Sequence, residues 1–107
     1  MEPVLLYVTA ATIEAARAMA RVVVEERLAA CANLIEGMTA IYRWNGTLQE
    51  EREVVLLLKT TTDRQEALIA RLREVHDYEI PCIVALPIVA GNPDFLKWIR
   101  EETRENG

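Results

Sequence analysis

Three short runs of this chain are apolar at every position: Val4–Val8, Val54–Leu58 and Ile83–Leu86. Side chains alternate sides along a strand, so a sheet with one wet face alternates apolar and polar residues. These runs do not alternate, and they predict strands buried on both faces.

What lies between them sets the topology. Thr12 has the chemistry of an N-cap for a helix to about Leu28, with Ile13, Ala16, Met19, Ala20 and Val23 recurring at helical spacing. A second strand begins near Cys31, takes a bend or bulge at Gly37 and runs on to Trp44. Asn45-Gly46 is a hairpin signal, because a type I′ turn needs positive φ at both central residues. The return strand covers Glu53–Thr61. Thr62-Asp63-Arg64-Gln65 has the form of a capping box opening a second helix, with Leu68, Leu72 and Val75 as its stripe. A fourth strand over Ile83–Leu86 stops at Pro87. Asn92-Pro93 starts a last helix, expected to turn Phe95, Leu96, Trp98 and Ile99 inward and to fray over Glu101–Gly107.

The order is β-α-β-β-α-β-α in one domain of 107 residues. It predicts an α+β, ferredoxin-like fold with an antiparallel sheet, the first and third strands central and both crossover helices on one face. Those helices cover one face, whereas the apolar runs ask for two. The missing cover is most simply another subunit; the alternative is a monomer whose final helix shields part of the bare face. The hairpin points the same way. Ala32 to Trp44 spans roughly 43 Å of extended chain, longer than the diameter of about 30–35 Å for a domain this size. Its tip, Tyr42-Arg43-Trp44, is rich in the residues that interfaces favour and is expected to reach a neighbour.

A net charge of −5, with basic residues interleaved among glutamates, argues against nucleic acid as a partner. Val4–Val8 is too short for a membrane span or a signal peptide, and a cytoplasmic location is expected. Cys31 and Cys82 form no Cys-x-x-Cys unit and read as free thiols. No Ser/His/Asp set, phosphate-binding loop or close carboxylate pair is visible, so an enzyme is not expected.

His76 is the single histidine, flanked by Asp77 and Glu79 and near Cys82. Imidazole, thiolate and carboxylate together suit copper or zinc. Neighbours in an extended segment point to opposite sides, so His76 would recruit Cys82 and Glu79 rather than Asp77, in a weak site at a subunit boundary. The other reading is a structural loop histidine. Cys31 reads as a small buried hydrophobe, since a reactive thiol needs a nearby cation that the sequence does not show. Lys59 closes an apolar strand and needs a partner, Glu79 or an anionic ligand, unless it snorkels to the sheet edge. Trp44 and Tyr78 are packing residues or ligand platforms.

Five segments then resemble the signature of the CutA divalent-cation-tolerance family: Glu25–Cys31, Ile41–Trp44, Leu58–Thr61, His76–Pro81, and Ala85-Leu86-Pro87 with Gly91-Asn92. They follow the family's order and spacing, with Asp77 where the family has proline. The resemblance implies a ferredoxin-like trimer related in architecture to PII signalling proteins, and a role in tolerance of copper and other divalent cations. It implies no obligatory cofactor and no catalysis. Metal or a small ligand is expected at subunit clefts; the alternative is a trimeric scaffold or a PII-like module without metal function.

Overall fold

The computed structural model describes residues 1–104. In chain order it has β1 (Pro3–Ala10), α1 (Ile13–Glu25), β2 (Cys31–Trp44), β3 (Thr47–Thr61), α2 (Thr62–Val75), β4 (Ile83–Pro87) and α3 (Pro93–Glu102). The four strands form one sheet in the order β2-β3-β1-β4, every neighbour antiparallel, with β1 and β3 central as expected.

The helix-covered face is built from matched rows. Leu6 lies opposite Leu58, and Ala32 lies opposite Leu58 on its other side; Val8 and Leu34 bracket Leu56 in the same way. Onto these rows α1 lays Ala16, Met19, Ala20 and Val23, and α2 lays Leu68 and Leu72. Each fully buried leucine or valine contributes about 1.5–3 kcal/mol of transfer free energy. That packing holds α1 together despite its three consecutive valines, which are stiff in a helix. A bidentate ion pair from Arg71 to Glu26, at 3.0 Å, ties α2 to the end of α1.

Thr12 caps α1 as expected, its hydroxyl accepting from the Ala15 amide at 3.1 Å. The helix nevertheless ends at Glu25 rather than near Leu28. Arg27 adopts a left-handed φ of 61°, and the Leu28 amide folds back to the Val23 carbonyl at 2.9 Å. Glycine usually holds such a position. Here the Arg27 guanidinium donates to the carbonyls of Glu101 and Arg104, which anchors the turn against the end of α3. The buried Thr60 hydroxyl donates to the Leu28 carbonyl at 2.7 Å and fixes the same turn from the sheet side.

The Thr62 capping box does not form. Thr61 is the N-cap residue of α2 and makes no side-chain cap bond. The Thr62 hydroxyl instead accepts from the Glu2 amide at 3.2 Å, and the Thr62 amide donates to the Glu2 carbonyl, so this threonine staples the start of β1. At the other end of the chain, α3 stops at Glu102 with Thr103 bonded back to Ile99. The fraying expected over Glu101–Gly107 lies outside the described residues beyond position 104.

The β2–β3 hairpin is the long axis of the molecule, whose extents are 44 × 26 × 21 Å. Asn45 and Gly46 take φ of 50° and 79°, as a type I′ turn requires. Gly37, at φ 81°, sits in a bulge: Ile35 pairs with Val55, but the next pair is Met38 with Glu53. One extra residue in β2 therefore moves Met38, Ala40, Tyr42 and Trp44 onto the face shared with Glu53 and Glu51.

That second face is left largely uncovered within the chain. It carries Leu5, Tyr7 and Leu57, all half-buried, and Val84 and Leu86, which are 51% and 45% exposed. Its two ends are shielded, one where α3 brings the buried Ile99 and the Phe95 ring up to Lys59, the other at the buried Thr9, Glu53 and Val55 near the segment after α2. Phe95 and Trp98, expected to turn inward, are both exposed, because α3 buries the Ile99 side of its surface.

Candidate functional site

Two hollows open on the second face. The larger, of ≈ 660 Å³, runs from the end of β1 along the underside of the arm. Its walls include Tyr7, Tyr42, Trp44, Glu51 and Glu53 from the strands and Tyr78, Glu79 and Cys82 from the segment after α2. The smaller, of ≈ 360 Å³, lies between Lys59 and the start of α3.

His76 shapes the larger hollow without opening into it as a free ligand. It ends α2 as the C-cap, and its side chain is fully buried. One ring nitrogen, Nε2, lies 2.7 Å from the Thr9 carbonyl and must donate there; the other, Nδ1, accepts the Tyr78 amide proton at 3.1 Å. Those two bonds select the neutral tautomer with hydrogen on Nε2. The ring also packs against Tyr78, centroid to centroid at 4.6 Å. Within one chain these contacts favour the structural reading of His76: both nitrogens are committed to holding residues 76–82 against the end of β1. Glu79 and the exposed Cys82 do reach the cleft wall. Among the described residues, however, no three His, Cys, Asp or Glu side chains gather closely enough to hold a metal ion.

Lys59 and Glu79 line different hollows, so the proposed pairing between them is corrected. The Lys59 ammonium donates to Asn33 Oδ1 at 2.5 Å, sits 3.6 Å from Cys31 Sγ and lies 5.8 Å above the Phe95 ring. Cys31 thus has the cationic neighbour that the linear sequence hid. The pairing is set by sheet register, in which Cys31 stands directly opposite Lys59.

Sequence reasoning missed the acidic floor of the cleft, Glu51 and Glu53. The available signal was the odd-numbered alternation of β3, which carries Glu51, Glu53, Val55 and Leu57 along one face. Tyr42 donates its hydroxyl to Glu51 Oε1 at 3.0 Å, and that bond raises the Tyr42 phenol pKa. Burial, followed by the charges of Glu53, Asp77 and Glu51, pushes the Tyr78 phenol from its ordinary 10.0 up to about 12. The folded-state pKa is raised, so this phenol's contribution to stability is complete below pH 10.0 and is lost between 10.0 and about 12. In a phenolate absorbance titration Tyr42 and Tyr78 should lag behind an ordinary phenol, and Glu53→Gln should bring the Tyr78 midpoint back toward 10.0. An unchanged midpoint would show that Glu53 does not act on Tyr78.

A single antiparallel sheet with paired crossover helices on one face and a long projecting hairpin places this chain in the ferredoxin-like α+β class. The chain belongs to the CutA1 divalent ion tolerance family, which matches residues 4–102. It is 50% identical over 103 residues to the divalent-cation tolerance protein CutA of Thermus thermophilus, covering 96% of this chain and 99% of that one. It is 43% identical over 97 residues to the human protein CutA, covering 91% of this chain but only 54% of that longer relative. Among solved structures, the Thermus thermophilus protein superposes with a TM-score of 0.92 at 46% identity, over 95% of this chain and 99% of that one. CutA from Xylella fastidiosa does so with a TM-score of 0.94 at 35% identity, over 97% and 100%.

Proposed function

We propose that this protein works as a homotrimer closed through the second face of its sheet, and that it meets divalent cations, copper or zinc, in clefts where copies adjoin. It is non-catalytic in this reading, needs no obligatory cofactor, and has no nucleic-acid or membrane partner. A cytoplasmic location keeps its two free thiols reduced. The observation that carries the reading is the open row of Leu5, Tyr7, Leu57, Val84 and Leu86, which a lone chain leaves to water. The relatives' description as divalent-cation tolerance proteins supports the cation. Cys82 and Glu79 are the donors on offer at the cleft wall, and His76 joins them only by releasing the Tyr78 amide.

A second reading, a trimeric scaffold or PII-like signalling module without metal, draws on the absence of a converged donor set among the described residues. Calorimetric titration with Cu²⁺ and Zn²⁺, with light scattering on the same sample, separates the two. The expected result is a three-chain mass at micromolar concentration and binding weaker than a structural zinc site. Cys82→Ser and Glu79→Gln should each weaken that binding. A one-chain mass sinks the trimer, and a wild type that takes up neither ion leaves the scaffold.

A further inference from the structure

One carboxylate on the arm has no counterpart in its own chain. Glu53 stands at the head of the apolar run of β3, opposite Met38, and is 7% exposed. Its side chain makes no hydrogen bond or ion pair with any described residue. A carboxylate on a largely buried residue, held by no hydrogen bond or counter-ion, favours any cation that can reach it. Arg64 Nε alone is a fully enclosed, unpartnered side-chain polar atom among the described residues, so the Glu53 carboxylate keeps an opening, and Glu53 lines the ≈ 660 Å³ cleft.

The surroundings define what would satisfy it. Glu51 lies two residues along on the same face, and the rings of Tyr42, Trp44 and Tyr78 line the same hollow. No lysine or arginine is among the residues that line it. The raised Tyr78 pKa reports negative potential in a partly desolvated space. Among the described residues of one chain no three metal donors converge, and the Cys82 and Glu79 wall offered to a divalent cation leaves the Glu53 carboxylate free for another group. A guanidinium or alkylammonium needs only one or two carboxylates and an aromatic face, since it pairs through N–H groups and is drawn to ring quadrupoles.

We propose that this cleft is a receptor for a guanidinium or alkylammonium group, which ion-pairs with Glu53 and rests against the rings of Tyr42, Trp44 and Tyr78. Two sources supply that chemistry. One is an arginine of a second copy. Arg43 is exposed at the arm tip, makes no ion pair among the described residues, and alternates with Tyr42 along the strand, which leaves it available to a neighbour's cleft. The other is a diffusible organic cation. Because either source satisfies it, the proposal does not depend on the trimer.

The test compares wild type, Glu53→Gln, Arg43→Gln and the double variant. Sedimentation reads their assembly, and calorimetry reads binding of agmatine and spermidine. If a second copy supplies the cation, Glu53→Gln and Arg43→Gln each raise the dissociation constant of assembly roughly tenfold, and the double variant is no worse than either alone. If the cation is diffusible, Glu53→Gln keeps the wild-type mass while agmatine or spermidine binding falls roughly tenfold. Should Glu53→Gln not fold, Tyr42→Leu and Trp44→Leu take its place, since they remove the rings and leave the carboxylate. A folded Glu53→Gln protein with wild-type assembly and wild-type cation binding overturns the proposal. A wild type that is monomeric but binds agmatine refutes the trimer and keeps the receptor.

Discussion

Leu58→Glu should leave essentially no folded protein, whereas Leu57→Glu should fold and fail to assemble. The two residues are adjacent on β3 and face opposite sides of the sheet. Leu58 is wholly buried beneath α1 and α2, between Leu6 and Ala32. An unpaired carboxylate there costs upwards of about 4 kcal/mol, a large part of the roughly 5–15 kcal/mol that holds a typical domain together. Leu57 is only half-buried, next to Tyr7 and Asn33, so a glutamate at that position keeps access to water in the single chain. Urea unfolding and sedimentation of both variants give the readout. If Leu57→Glu matches the wild type in both stability and mass, the second face is solvated and the case for its burial between copies collapses.

Val84→Glu isolates that second face more sharply, and its effect on assembly should be the largest of any surface substitution. Val84 is 51% exposed on the edge strand β4, opposite Tyr7. In one chain the change swaps one solvated side chain for another, worth within about ±0.5 kcal/mol. In an assembly closed over the Leu5–Tyr7–Leu86 surface, it buries one unpaired carboxylate per copy. The expected result is an intact circular dichroism spectrum with a one-chain mass, partly restored below about pH 4 as the introduced carboxyls take up protons, since an ordinary glutamate titrates near about 4.3. Persistence of a multi-chain mass at neutral pH would place the interface elsewhere.

The element order, the type I′ turn and the bulge are all legible in the sequence because each depends on local chemistry. Asn45-Gly46 and Gly37 carry backbone conformations that few other residues adopt cheaply. The features that the sequence hides share the opposite character. The end of α1 falls earlier than its periodicity predicts because Arg27 takes a left-handed conformation that carbonyls some seventy residues away make tolerable. The capping box at Thr62 fails because the Glu2 amide, sixty residues distant, claims that hydroxyl. His76 has the look of a ligand because a residue type announces donor atoms but not who already occupies them. Its partner Thr9 lies sixty-seven residues back. Cys31 and Lys59 meet through strand register, and the isolation of Glu53 follows from what does not surround it. Neither is written in a motif.

The one-residue bulge at Gly37 acts as a change of phase. Up to Ile35, the odd-numbered residues of β2 belong to the open face; from Met38 onward the even-numbered ones do. The body and the arm therefore keep separate clocks. Lengthening or shortening the arm by whole pairs of residues beyond the bulge leaves every side chain in the body on its own face, whereas a single-residue change would bring odd and even into conflict at the tip. Reach can then vary while the helix-packed core stays fixed, and the parity of the arm decides whether Tyr42 and Trp44 look into the cleft or away from it.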